Sequence, residues 1–159
     1  MPWPWVDGDT LAAAELNKLV PDGVESGLAY TPQLTATTTN PTLGTGAIAQ
    51  GRYYRMGKLV WAAARIEFGT SGTGAGSGVY RVSVPVACAQ PFIDHRIRCG
   101  SGRLVQISPV ASEIIACYFV GPTTFEMLAD GVAGIVASGV PWAWEPSDRI
   151  QPWVLYEAA

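Results

Sequence analysis

The side chains able to make or break bonds are thinly spread in this sequence. Beyond residue 90 the carboxylates are Asp94, Glu113, Glu126, Asp130, Glu145, Asp148 and Glu157. Glycoside hydrolysis needs two such groups facing each other across a bond. These fall in no motif and read as solvated or structural acids. The single histidine, His95, sits in Asp94-His95-Arg96; a charged tripeptide keeps a loop soluble as readily as it builds a general base. There is no Gly-x-Ser-x-Gly elbow and no catalytic Cys/His signature. Ser71 lies in Gly69–Gly78 (GTSGTGAGSG), which lacks the Lys-Ser/Thr and following helix of a phosphate cradle. Cys88, Cys99 and Cys117 are odd in number and widely spaced, which fits neither a disulfide framework nor a zinc site. They are expected to be reduced, small and mostly buried. No catalytic, cofactor-binding or metal-binding residue is therefore expected, and the chain does not read as an enzyme.

The remaining chemistry is recognition. Trp61, Trp142 and Trp144, with Tyr53 and Tyr54, could stack on the faces of sugar rings, which makes them candidate contacts for a cell-surface glycan. Each could equally fill a core, and that alternative stays open.

What positions such residues follows from composition and pattern. With 159 residues, the chain is expected to form one main domain. Hydrophobic residues make up 48% and charged residues only 14%, which points to surface covered by copies or partners. The net charge of −3, with Lys and Arg scattered, excludes the basic footprint of a nucleic-acid binder. No apolar run is long enough to span a bilayer, so no membrane insertion is expected, and the N-terminus does not read as a signal peptide.

Strand signals dominate after residue 30. Gly51–Met56 and Leu59–Phe68 flank a Gly57-Lys58 turn, with Val60, Ala62, Ala64 and Ile66 on one face and Trp61, Ala63, Arg65 and Glu67 on the other. Gly69–Gly78 reads as a long loop and Val79–Val84 as the next strand. Leu34–Thr39, Gly102–Ser108, Glu113–Val120, Thr124–Leu128 and Trp153–Tyr156 complete the set. Pro152 suggests that the last strand starts near a sheet edge. Glu113–Val120 is apolar on both faces, as in a strand that serves a core and an interface. Ile115, Cys117 and Phe119 form the candidate interface set.

The N-terminus differs. Trp3-Pro4-Trp5 favours an extended segment. Leu11–Val20 predicts a short helix with one apolar stripe, capped by Asp9 or Thr10 and stopped at Pro21-Asp22-Gly23. A helix this short needs a surface to bury its stripe. Trp3, Trp5, Leu11, Leu16 and Leu19 are the candidate docking residues, and Pro21–Pro32 reads as a linker. The alternative is a terminal helix packed on its own domain.

Trp5-x-Asp7-Gly8-Asp9-x-Leu11-x-Ala13-x-Glu15-Leu16-Asn17 resembles the opening of tailed-bacteriophage virion proteins, especially those of actinobacterial phages, although Ala12 stands where that family has a capping threonine. Tyr30-Thr31-Pro32, Asn40-Pro41-Thr42-Leu43-Gly44, Gly51-Arg52-Tyr53, Gly57-Lys58-Leu59-Val60 and Gly76-x-Gly78-x-Tyr80 are similar to its recurring elements, in order. So are Pro141-Trp142-x-Trp144, Ser147-Asp148-x-Ile150 and the closing Tyr156-Glu157-Ala158-Ala159. The resemblance covers nearly the whole chain and is weakest over Val86–Gly102. It implies an all-β protein: a jelly-roll-like antiparallel β-sandwich over 31–159, preceded by an attachment arm over 1–30. It also implies a non-enzymatic homotrimer made in the host cytoplasm and assembled into the virion. There it would be either a tail-tip receptor-binding protein or a capsid decoration or head-fibre protein, with other tail or capsid proteins as partners.

Overall fold

Hydrophobic alternation and glycine placement make the middle of the chain one long β-hairpin. The computed structural model describes residues 25–90, 93–94, 97–132 and 134–159. Within them lie β1 (Glu25–Tyr30), β2 (Leu34–Ala36), β3 (Ile48–Met56), β4 (Leu59–Glu67), β5 (Tyr80–Ser83), β6 (Arg98–Gln106), β7 (Ala111–Gly121), β8 (Thr124–Ala129), β9 (Gly134–Ile135) and β10 (Arg149–Glu157). No helix occurs among the described residues. The candidate docking residues Trp3, Trp5, Leu11, Leu16 and Leu19, and also His95, lie outside them.

The turn at Gly57-Lys58 fixes the register of β3 on β4. Gly57 has φ 59°, the positive value that a two-residue hairpin turn of the II′ kind places at its first position. Met56 then pairs with Leu59 and Tyr54 with Trp61. The pairing continues past the named strands. Thr45↔Ser71, Thr42↔Gly74 and Thr39↔Ser77 carry it outward until β2 meets β5 at Ala36↔Tyr80 and Leu34↔Val82. Between Ile48↔Glu67 and Thr45↔Ser71 the register slips by one residue, as at a bulge.

Gly69–Gly78 is therefore a paired ribbon rather than a loop. Its glycines are there because the two strands approach closely. A Cβ on Gly76, at φ 65°, would stand 2.2 Å from the Thr39 carbonyl oxygen. One on Gly44, at φ 82°, would stand 2.4 Å from that of Ser71. Only glycine tolerates both the left-handed backbone and the contact.

This hairpin joins the two ends of the sheet. The strand order is β1-β3-β4-β10-β6-β7-β8-β5-β2, with β9 beside β8, and every pairing is antiparallel. Because β2 runs on into β3 and β4 into β5, the sheet curls round until its inner face surrounds a single core. Val60, Ile66, Ile150 and Val154 bring one half of that core and Tyr80, Ile115, Phe119 and Phe125 the other, all 1% exposed or less. Phe119 meets Tyr156 edge-on at 5.0 Å. Burial of each such side chain contributes about 1.5–3 kcal/mol.

Several expectations change here. Ile115, Cys117 and Phe119 are fully buried within one chain, so they cannot form a subunit interface. The face of β7 that points outward instead carries Ile114, 60% exposed. Pro152 does not mark an edge: β10 is central, between β4 and β6. Its ladder to β4 skips Gln151 and Pro152, where the proline has no N–H to give, while Pro152↔Gly102 continues on the β6 side. Gly102 admits this because a Cβ there would strike the Gln151 carbonyl oxygen at 2.4 Å. The stretch read as a linker, Pro21–Pro32, contains β1, so the sheet begins ahead of residue 31.

One turn ties the ends together through a buried acid. Asp148 is 0% exposed, and its carboxylate accepts from Ile107 N at 2.9 Å and Glu145 N at 3.0 Å. Phe68 N donates to the Asp148 carbonyl at 2.9 Å. Asp148 thus clamps the exit of β6 and the end of β4 to the entry of β10. Its neighbour Ser147 takes φ 70°, unusual for a residue with a side chain.

Candidate functional site

The strand alternation that fills the core sends a second set of large side chains outward. On β3, β4 and β10 these are Tyr54, Met56, Leu59, Trp61, Trp153 and Leu155, each between 38% and 53% exposed. The pairs Tyr54↔Trp61 and Leu155↔Trp61 make them one continuous face. Tyr54 and Trp61 touch, with ring centroids 5.6 Å apart and planes inclined at 51°. Proteins seldom leave such a contiguous apolar surface uncovered unless something binds it.

Beside these rings the same face becomes polar. A shallow groove of about 770 Å³ runs between β1 and β4. Tyr54 and Trp61 form one wall; Gln50, Arg52 and Arg65 stand around the rest, over Gly51, Ala63 and Ala64. Arg52 Nη1 donates to the Gly27 carbonyl at 3.2 Å. Arg65 pairs with Glu67, whose carboxylate also meets Arg149 at 3.0 Å. A smaller cavity of about 210 Å³, bordered by Tyr118, Glu126 and Ile135, lies over β7, β8 and β9.

Of the three candidate tryptophans, Trp61 alone takes part in this face. Trp144 is a core residue, 7% exposed, stacked on Phe68 at 5.6 Å, and its Nε1 donates to Ala137 O at 2.8 Å. That removes it as a glycan contact. Trp142 is half-buried against Trp144 at 5.8 Å and does not line the groove beside Trp61, and its Nε1 is buried without an acceptor among the described residues. Tyr53 points inward, toward Tyr30.

Several titratable groups among the described residues are held in ion pairs. No group of three or more His, Cys, Asp or Glu side chains could hold a metal there. Glu126 is 6% exposed and held by Arg81 at 2.9 Å; Glu157 faces Lys58 at 3.8 Å. The three cysteines are free thiols. Burial pushes the Cys99 thiol up to about 12 and raises Cys88 and Cys117 as well, so none is poised as a thiolate.

The aromatic half of this face was half visible in the sequence, through Trp61 and Tyr54. Gln50, Arg52, Trp153 and Leu155 were not singled out. The signal for the first two was present: a two-residue turn at Gly57-Lys58 with strict alternation places Arg52 opposite Ala63 and Gln50 opposite Arg65. The β10 pair had no such local signal, because β10 reaches β4 only after most of the chain has intervened. No protein-family model, characterised protein or solved structure matches this chain.

Proposed function

We propose that this protein is a non-enzymatic structural component of a phage particle, a homotrimer of the tail-tip receptor-binding type displayed on the virion surface. The observation that carries this reading is the outer face of β4 and β10. Leu59 on β4 and Trp153 and Leu155 on β10 are 42–45% exposed there, clear of the groove lined by Trp61, in a chain with only 14% charged residues. Such a strip is suited to burial against a copy of itself. The virion setting is supported by the ordered motifs from Trp5 to Ala159.

A jelly-roll-like sandwich is the architecture that goes with this reading; the long hairpin bridging both ends of the curled sheet supports it. The arm with Trp3, Trp5, Leu11, Leu16 and Leu19 is assigned the docking role, since indoles and leucines are the side chains expected at a binding hot spot.

Light scattering tests the assembly: a trimer is expected, and a monodisperse monomer at micromolar concentration overturns it. Immunogold labelling of particles tests the location. Label at the tail tip supports the receptor-binding role, whereas label over the head makes the protein a capsid decoration. Deleting Met1–Val20 should keep the trimer and abolish incorporation into particles; a truncated protein that still loads places attachment on the β domain.

A further inference from the structure

We infer that the groove between β1 and β4 binds an anionic saccharide: a sugar chain bearing carboxylate or phosphate groups. This rests on the reading of a receptor-binding particle protein and gives that role a site and a ligand chemistry.

The first argument is shape. A depression of about 770 Å³ on the outside of a sheet requires small residues where large ones would be favoured. Alanine is a poor strand residue, yet Ala63 stands between Trp61 and Arg65 on the outward side of β4, paired with Arg52 on β3 and flanked on its other side by Trp153. The groove is open along its length, so it accepts a segment of a chain rather than enclosing a small molecule.

The second argument is surface chemistry. The tilted Tyr54–Trp61 pair presents ring surface at the wall, the kind of platform against which the C–H face of a pyranose packs. Gln50 supplies an amide donor and acceptor for ring hydroxyls.

The third argument is charge. The whole chain carries −3, but no carboxylate lines the groove, while Arg52 and Arg65 both do. Glu67, next to it on β4, is already met by Arg149 as well as Arg65. Guanidinium groups with free N–H donors recognise carboxylate and phosphate oxygens in a planar, two-point fashion. A neutral sugar would leave that complementarity unused.

The test is affinity electrophoresis of the full chain at physiological salt, with polygalacturonate, phosphomannan or neutral dextran in the gel. The protein's own negative charge suppresses unspecific attraction to the anionic polymers. Retardation by one or both anionic polymers, at least about tenfold stronger than by dextran, is expected; which of them acts tells carboxylate from phosphate. Arg65→Gln and Trp61→Ala should each weaken retardation about tenfold, the loss expected for one charge-assisted hydrogen bond or one stacked ring. Ala63→Leu should block it by filling the floor, with an unchanged thermal transition showing that the fold survives.

Equal retardation by dextran, no retardation by any polymer, or full retention in Ala63→Leu overturns the inference. Light scattering and particle loading of Arg65→Gln separate the two readings. A variant that trimerises and loads like wild type leaves the particle role standing whatever the polymers show. A wild-type protein that binds polymer but neither trimerises nor loads removes the particle role alone.

Discussion

Asp148 offers the most direct test of how the curled sheet is held shut. Its carboxylate is 0% exposed and accepts two backbone N–H groups, from Ile107 just after β6 and Glu145 just before β10. Hydrogen bonds to a charged acceptor contribute about 1.5–3 kcal/mol each. The lower end applies here, because Ile107 and Glu145 are themselves exposed and water can reach their N–H groups once the acid is gone. Asp148→Ala should therefore cost about 3 kcal/mol. For a chain of this size that lowers the Tm by about 6–12 °C. Asp148→Asn keeps one acceptor and turns an NH2 toward the other N–H, so it should cost about half as much or slightly more. Urea unfolding followed by tryptophan fluorescence measures both, with Asp130→Ala, an exposed acid, as the control expected to stay within about 0.5 kcal/mol of wild type. A loss below about 1 kcal/mol for Asp148→Ala, at unchanged m, would refute the clamp: it would mean that the packing around Phe68 and Ile150 holds these elements without it.

Gly76→Ala should destabilise by about 2 kcal/mol or more, since it adds a Cβ against the Thr39 carbonyl at a positive φ. Gly72→Ala, also at positive φ but with nothing within 4 Å, should cost only about 1 kcal/mol; equal losses in urea melts would contradict the close-ribbon account. Burial raises Tyr30 from 10.0 to about 12 and Cys99 from 9.0 to about 12. Because these folded-state values lie above the unfolded ones, their stabilising effect is complete below about pH 9 and is lost as pH rises toward about 12. The Tm should thus be insensitive to these groups near neutrality and fall through that window, and a flat profile to pH 12 would count against their burial. Leu155→Glu, on the outer face, should leave the fold intact and break self-association in light scattering; an unchanged oligomer moves the interface off β10.

How much of this was legible beforehand depends on whether the determining contact is local. The pairing of β3 with β4 follows from two residues, Gly57 and Lys58, and from alternation over Leu59–Glu67. Both act within a few residues, so the inward Val60, Ala62 and Ile66 and the outward Trp61 could be read directly. Glycine-rich composition was ambiguous, because the same residues suit a loose loop and a strand that crosses its partner too closely for a Cβ. Only the pairing of Thr39 with Ser77 and Thr42 with Gly74 decides that Gly69–Gly78 is a ribbon. Pro152 misled for a similar reason: a missing N–H is tolerated in a central strand when one neighbour forgoes the bond and the other side offers Gly102. The two faces of β7 were equally apolar in sequence, and the curl of the sheet chose Ile115, Cys117 and Phe119 for the core. The groove needed most of all the tertiary structure. Its wall and floor come from adjacent strands, but the face becomes a continuous surface only when β10, far along the chain, docks Trp153 and Leu155 beside β4. Local sequence determines which way a side chain points; which distant strand lies next to it is decided by burial of the whole core at once.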